Sequence, residues 1–128
     1  GAMRKACPVG FAMKRDFEVI RYILGKLEEA ESAELQYPRH MPDYPETVIS
    51  YHLWLLIQSG MIVGRCNSET PYPGNFQCYG VCLTWAGHEF LSAIREEAAW
   101  KKIRRYLAER ALDLSYESIK AAATALLT

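Results

Sequence analysis

Residues 46–66, ETVISYHLWLLIQSGMIVGRC, carry the pattern that decides the fold. Ile49, Leu53, Leu56 and Gly60 are spaced by four, three and four residues, which predicts one buried helical stripe. Gly60 suits the left-handed position that ends a helix, and residues 61–66 then have the composition of a strand. The pattern therefore predicts a helix over residues 46–58 that turns at a glycine directly into a strand.

A hairpin and a first helix flank this segment. Residues 67–76 are rich in turn formers and residues 77–83 resemble a second strand, so we expect a hairpin with a long tip. Upstream, residues 33–37 alternate as a short strand before a loop over 38–45 that holds three prolines. Asp16 is a residue type that caps helices. The predicted inward positions of the helix that follows it are Phe17, Ile20, Ile23, Leu24 and Leu27.

Helical patterns fill the rest of the chain. Thr84 is expected to cap a helix that continues through Trp100 unless Glu96 and its neighbour mark a bend. Leu114 and Ser115 are typical of the staple and cap before a last helix. The predicted inward positions are Trp85, Phe90, Leu91, Ile94, Trp100, Ile103 and Leu107, followed by Ile119, Ala122, Ala123, Leu126 and Leu127.

The order helix, short strand, helix, hairpin, helix is that of a winged-helix domain. We therefore predict an α+β fold of the winged-helix class, a helix-turn-helix plus a β-hairpin wing, with extra C-terminal helices. Residues 1–12 are interpreted as a tag scar and a flexible N-terminal arm. Residues 13–95 are the predicted winged-helix domain. Residues 96–128 are the predicted helical extension, packed on the same domain.

The composition indicates a soluble globular domain without a strong electrostatic field. The chain has 128 residues, of which half are hydrophobic, and 15 Lys and Arg balance 15 Asp and Glu. No stretch approaches the ~20 apolar residues of a membrane helix. A neutral chain also lacks the global positive charge that holds many proteins to nucleic acid. We expect a cytoplasmic protein of a bacterial host cell that does not enter membranes.

The four cysteines, Cys7, Cys66, Cys78 and Cys82, are too few for a disulfide scaffold at this length. On a regular strand Cys78 and Cys82 share a face and lie about 13 Å apart, too far to bind one metal ion. A pair of Cys66 with either of them stays open, but we expect buried free thiols. The sequence predicts no metal site and no cofactor.

The sequence shows no catalytic constellation. His52 and His88 lie among apolar residues of predicted helices, where we expect a histidine to hydrogen-bond the backbone rather than to catalyse. No serine or threonine lies in a nucleophile-elbow motif, and no glycine-rich phosphate loop is present. We therefore expect a protein that is not an enzyme and that acts by binding.

Several segments resemble a known family. MKRDFEVIR at residues 13–21, ISYHLWLLIQSGMI at 49–62 and LTWAGHEFLSAIR at 83–95, followed by WKK at 100–102, are similar to segments of the DUF2513 family. The segment over 83–95 is the most specific. The resemblance implies a phage or prophage origin and a winged-helix-like fold, but no established chemistry. The segment over 49–62 also resembles the recognition helix of winged-helix repressors.

The outer face of the predicted 46–58 helix is the most informative surface. Thr47, Ser50, Tyr51, Trp54 and Gln58 are expected to point outward or sideways, where such side chains read base edges or contact phosphate. The helix carries no Lys or Arg, although phosphate neutralisation dominates affinity for duplex DNA. Tyr51 and Trp54 would instead form an aromatic patch suited to a protein partner, unless Trp54 folds back into the core.

Positive charge is concentrated outside this helix. The candidate contacts there are Arg65 in the predicted wing and Lys101, Lys102, Arg104 and Arg105 in a later helix. Four cations in five residues can follow a phosphate backbone. The alternative is that Glu96, Glu97 and Glu109 pair with these cations at helical spacing.

These patterns predict a non-enzymatic winged-helix protein that binds double-stranded DNA as a transcription regulator. The alternative is a phage accessory protein that binds and inhibits or modulates a host protein through the aromatic face of the 46–58 helix. Fold analogy favours DNA, and local charge favours a protein partner. The C-terminal helices are also candidates for a homodimer interface.

Overall fold

The structure of the protein, a computed structural model, describes residues 14–30, 34–71 and 75–127. These residues form a mixed α+β fold with five α-helices and one two-stranded antiparallel sheet. The predicted N-terminal arm over residues 1–12 lies outside the described residues. The elements are α1 (Phe17–Glu29), a 3₁₀ turn (Pro38–His40), α2 (Glu46–Gln58), β1 (Ile62–Cys66), β2 (Cys78–Leu83), α3 (Trp85–Ile94), α4 (Glu97–Glu109) and α5 (Tyr116–Leu127).

Short polar side chains begin three of the helices, as the sequence predicts. The Asp16 carboxylate accepts a hydrogen bond from the backbone N–H two residues further on, at 2.9 Å. The hydroxyls of Thr84 and Ser115 each accept one from the N–H three residues further on, at 3.2 Å and 3.1 Å. Each bond satisfies a donor that the first turn of a helix leaves unpaired. The starts of α1, α3 and α5 are therefore fixed by local chemistry.

The junction between α2 and β1 depends on Gly60, which has a φ of +79°. The N–H of Gly60 donates to the carbonyl of Ile57 at 3.1 Å, and the N–H of Met61 donates to that of Leu56 at 3.0 Å. These two bonds are those of a Schellman motif, which needs a left-handed residue where glycine is favoured. The predicted end of α2 at residue 58 is confirmed. The helix after Thr84 does not run on through Trp100, and the alternative of a break near Glu96 is the one present, since α3 ends at Ile94 and α4 begins at Glu97.

The predicted hairpin is present, and a single bridge extends it. Gln36 and Gly80 exchange backbone hydrogen bonds of 2.8 Å and 2.9 Å. The strand predicted over residues 33–37 is thus reduced to one bridged residue, because Pro38 begins the 3₁₀ turn soon after it. Residue 33 and the hairpin residues 72–74 lie outside the described residues.

A one-residue bulge in the hairpin places Cys78 and Cys82 on opposite faces. Two consecutive residues of β1 pair with Cys82 and Gly80, so Val81 is an extra residue in β2. An extra residue shifts the alternation of side chains by one position. Cys78 is therefore buried and Cys82 is exposed, and the prediction that they share one face is wrong.

Cys66 and Cys78 form a disulfide bond between the end of β1 and the start of β2. They are direct partners across the antiparallel pair, where opposite side chains lie close together. The prediction of buried free thiols is therefore wrong for this pair. It is also wrong for Cys82, which is free but exposed.

One hydrophobic core joins the helices and both strands. The predicted inward positions of α1 are all buried, as are Ile49, Leu53 and Leu56 of α2. Trp85, however, is 82% exposed, so its predicted inward position is wrong. The reason is that the buried stripe of α3 begins at Gly87, and Trp85 falls outside its three- and four-residue spacing.

Helices α4 and α5 share this core. Their buried residues are Trp100, Ile103 and Leu107 in α4 and Ile119 and Ala122 in α5. Leu126 and Leu127 are 44% and 87% exposed, so their predicted inward positions are wrong, because α5 buries only a narrow stripe. Among the described residues, no helix has the length and apolar character to cross a membrane.

The His52 imidazole joins the start of α1 to α2 inside the core. Its Nδ1 donates to the carbonyl of Val48 at 2.9 Å, and its Nε2 accepts from the backbone N–H of Asp16 at 2.9 Å. The second bond requires an unprotonated Nε2, so this geometry holds the ring neutral. Desolvation by burial lowers the pKa of His52. The structural role predicted for this histidine is confirmed.

We expect the lowered pKa of His52 to make folding stability depend on pH. The unfolded chain binds a proton near the ordinary histidine pKa of 6.5, whereas the folded chain binds it only at lower pH. The contribution of the neutral His52 to the free energy of unfolding is therefore complete above pH 6.5, and it declines as the pH falls below that value. Urea midpoints should fall between about pH 7 and pH 5 in the unmodified protein and less in His52→Gln. The exposed His88→Gln control should keep the original slope, and an unchanged slope in His52→Gln would contradict the assignment.

The disulfide should contribute measurably to stability. It links residues with a sequence separation of 12, and closing a loop of that size contributes about 2–4 kcal/mol. A Cys66→Ala, Cys78→Ala double variant is expected to lose that much free energy of unfolding in a urea titration. Cys82→Ala is the matched control, because its thiol is free and exposed. Equal midpoints for the double variant and the control would refute the bond.

Candidate functional site

One narrow stripe of α2 remains open to solvent, formed by Thr47, Tyr51, Trp54 and Gln58. Thr47 and Gln58 are exposed, and Tyr51 and Trp54 are half-buried between them. Spacings of four, three and four residues put all four on one side of the helix. This α2 stripe carries no charged side chain, and the first turn of the helix adds the acidic Glu46. The α2 stripe is therefore a neutral, aromatic surface, with one acidic residue beside it in the first turn.

Tyr51 and Trp54 form the centre of the α2 stripe. Their rings are stacked, with centroids 5.9 Å apart and an interplanar angle of 28°. The Trp54 Nε1–H donates to the backbone carbonyl of Glu69 in the hairpin loop at 3.0 Å. Trp54 therefore neither enters the core nor stands free, because the hairpin holds one edge of its ring.

Ser50 does not belong to this surface, and its predicted outward position is wrong. Its side chain is buried, and its hydroxyl accepts a hydrogen bond from the backbone N–H of Cys78 at 3.3 Å. The reason is that α2 packs against both α1 and the hairpin. The buried side of α2 is therefore wider than the single stripe through Leu53 that the spacing predicts.

Arg65 lies on the far face of the hairpin from α2. A Cβ on its neighbour Gly64 would lie 3.1 Å from Cδ1 of Ile57, so that face of β1 packs on α2. Side chains alternate along a strand, and Arg65 therefore leaves the opposite face, where it is exposed. Its cross-strand partner Tyr79 lies there too, with its ring 5.4 Å from that of Tyr37. The structure does not bring the predicted wing contact beside the α2 stripe.

Arg104, in the basic run of α4, is held against α1. Its Nη1 lies 3.0 Å from Oε2 of Glu18, and the same oxygen accepts a hydrogen bond from Nε1 of the buried Trp100 at 2.8 Å. The guanidinium also lies 5.8 Å from the centroid of the Trp100 ring. Arg104 is therefore neutralised by a contact that ties α4 to α1.

The other three cations of the run lie at the surface. Lys101 Nζ is 3.9 Å from a carboxylate oxygen of Glu97, which is one of the helical pairings that the sequence allowed. Within the described residues, Lys102 and Arg105 form no ion pair, and the other two glutamates expected as partners do not pair with the run. The run thus offers two unpaired cations instead of four.

Buried polar groups in the described part of the chain are used for structure. None of their side-chain nitrogen or oxygen atoms lacks a hydrogen-bond partner. The buried polar residues there are Ser50 and His52, which join α2 to β2 and to the start of α1. No group of three or more His, Cys, Asp or Glu in residues 14–30, 34–71 and 75–127 is arranged to hold a metal ion.

Trp85 is an exposed aromatic residue, although its sequence position predicts an inward side chain. It stands at the first turn of α3, just after β2. At the base of the hairpin, Val63 and Cys82 are cross-strand partners and both are exposed. The spacing indicates this exposure, because Trp85 is two positions before the buried Gly87 and therefore lies on the other side of the helix.

Comparison with known proteins places the chain among relatives without assigned activity. Residues 14–113 match a family model described as "Hypothetical protein (DUF2513)". The chain is also similar to a protein of Haemophilus influenzae (strain ATCC 51907 / DSM 11121 / KW20 / Rd) named "Uncharacterized protein". The two are 32% identical over 117 residues, which cover 91% of this chain and 97% of that protein. No solved structure matches the chain.

The burial of Ser50 can be tested against a second hydroxyl on the same helix. Ser50→Ala removes the acceptor of a buried backbone N–H, and leaving such a donor unpaired costs about 1–3 kcal/mol. Thr47→Ala is the matched control and should change the free energy of unfolding by less than about 0.5 kcal/mol, because Thr47 is exposed. Urea titrations of both variants give the comparison. Equal stabilities would show that Ser50 is not the acceptor.

Proposed function

The chain belongs to the DUF2513 family, and from that premise we propose that it is a non-enzymatic, winged-helix binding protein whose α2 stripe docks a protein partner. The description of the family assigns no activity. The observation that carries the proposal is the neutral, aromatic α2 stripe, which packing leaves open to solvent.

The winged-helix assignment is supported by the order and pairing of the elements. Helix α1 is followed by the bridge at Gln36, then by α2 and then by the hairpin. The order helix, short strand, helix and hairpin is that of a winged-helix domain, and the bridge between Gln36 and Gly80 takes the place of the short strand. In this assignment α2 corresponds to the recognition helix.

The charge around α2 favours a protein partner over duplex DNA. Cations that contact phosphate supply most of the affinity for DNA. The α2 stripe has none, Arg65 leaves the other face of the hairpin, and Arg104 is neutralised by Glu18. The predicted DNA contacts are therefore not gathered around the helix that would enter the groove.

The aromatic centre of the α2 stripe has the properties of a binding hot spot. Trp and Tyr are enriched among the residues that dominate interface energies. Trp54 is also held in place by its bond to Glu69, so it loses little side-chain entropy when a partner binds. A neutral partner surface with an apolar pocket and a hydrogen-bond acceptor for the Tyr51 hydroxyl would fit this surface.

The origin that the family resemblance implies points to the kind of partner. A phage or prophage protein meets the proteins of its host, so we propose a host protein that is inhibited or modulated by docking. The phage origin remains a prediction.

DNA binding is the second candidate, and the arrangement of α2 beside a hairpin favours it. Lys102 and Arg105 are the two cations of the basic run without an ion pair among the described residues. Two phosphate contacts would give a slope of about −1.8 in log K against log salt. The affinity for DNA from two phosphate contacts would be low, and DNA binding would need further Lys or Arg side chains.

Gln58→Arg is expected to distinguish the two candidate functions, because it should lower the affinity for a protein partner and raise the affinity for DNA. Gln58 is exposed in the last turn of α2, where a cation is compatible with the helix dipole. The new charge should weaken the docking of a protein by about tenfold or more, because it must be desolvated in the interface. The same charge should strengthen binding to duplex DNA.

The measurements are a pull-down from bacterial host lysate followed by titration of the identified protein, and fluorescence anisotropy on duplex DNA over a range of salt. Trp54→Ala should abolish the protein interaction, whereas Trp85→Ala should retain it. Trp85 is a matched control because it is an exposed tryptophan outside the α2 stripe. Salt-dependent DNA binding that Gln58→Arg strengthens, without a protein captured through Trp54, would overturn the proposal in favour of the second candidate.

A further inference from the structure

Helices α3, α4 and α5 leave an open groove between them, with a volume of about 490 Å³. Its lining is mainly apolar and includes Ala93, Ala99 and Ile103. Leu126 and Leu127 at the end of α5 also line it, although they are 44% and 87% exposed. The groove therefore leaves two large apolar side chains in contact with water.

Two residues of opposite charge, Glu96 and Lys102, line the same groove. Neither forms an ion pair with the residues that the structure describes. They are six positions apart at the start of α4, which corresponds to about 9 Å along a helix axis. The groove thus carries an unpaired carboxylate, that of Glu96, and an unpaired ammonium group, that of Lys102, at different points along its length.

We propose that this groove is the interface through which two copies of this chain form a homodimer. In a two-fold symmetric dimer the same patch serves both copies, so every contact is made twice. An antiparallel approach of the two α4 helices brings Glu96 to the partner's Lys102 and Lys102 to the partner's Glu96. The same approach removes Leu126 and Leu127 from water.

The charge pattern identifies a second copy as the occupant. Because the groove carries one unpaired carboxylate and one unpaired ammonium group, a copy rotated by 180° can place each of them opposite a group of the other sign. A foreign segment would need an independent and oppositely placed pair of charges. The apolar lining between the charges is typical of homodimer interfaces, which are richer in apolar area than other contacts. The α2 stripe is not part of the groove, so this proposal does not depend on the proposed function.

Sedimentation velocity of the full chain over a range of concentrations tests the dimer. The unmodified protein is expected to shift from monomer to dimer as its concentration rises. Leu127→Lys should raise the dimer dissociation constant by about tenfold or more, because it places a charge in the apolar contact. Leu127 is 87% exposed, so the variant should fold, which an unchanged circular dichroism spectrum verifies. A monomer at every concentration, or a dimer that Leu127→Lys leaves intact, would overturn the proposal.

Charge reversal tests the pairing itself. Glu96→Lys alone and Lys102→Glu alone each put like charges opposite one another twice, so each variant should be monomeric where the unmodified protein dimerises. An equal mixture of the two variants restores opposite charges at both contacts and should form a heterodimer. Glu34→Lys, an exposed charge change outside the groove, should dimerise normally. Single variants that dimerise as well as the unmodified protein, or a mixture that stays monomeric, would refute the antiparallel arrangement.

Discussion

The burial of α2 on several sides at once is the constraint on which the rest of the described fold depends. His52 ties this helix to the start of α1, and Ser50 ties it to the hairpin. The 3₁₀ turn Pro38–His40 packs against it as well. Because these contacts bury most of α2, the side chains that it can present to a partner are those of the α2 stripe, the exposed Glu46 and the half-buried Leu55. The packing of the fold thus determines which side chains of α2 are available to a partner.

Local features of the fold could be predicted from the sequence, because short-range chemistry determines them. Asp16 and Thr84 start their helices through bonds to the next turn, and Gly60 ends α2 through its own backbone conformation. The errors arose where distant parts of the chain decide the outcome. The bulge at Val81 puts Cys78 and Cys82 on opposite faces of the hairpin, and their spacing in the sequence does not predict the bulge.

The candidate site was predictable to a similar extent. The stack of Tyr51 on Trp54 follows from their spacing on one helix. The position of Ser50 does not, because it depends on how the hairpin packs against α2. The ion pair of Arg104 could not be predicted for the same reason, since its partner is Glu18, 86 residues earlier in the chain. A sequence shows which side chains are available on an element, whereas tertiary packing decides which of them remain available.

The position of Cys78 has a consequence for motion. Its backbone N–H is bonded to Ser50 of α2, and its sulfur is bonded to Cys66 of β1. Two elements that meet at one residue open together, because neither can leave without breaking a bond to the other. Amide hydrogens at the loop end of the two strands should therefore exchange with solvent in the same cooperative unit as those of α2. The hairpin then moves with the helix, as part of a rigid unit, and not as an independently hinged wing.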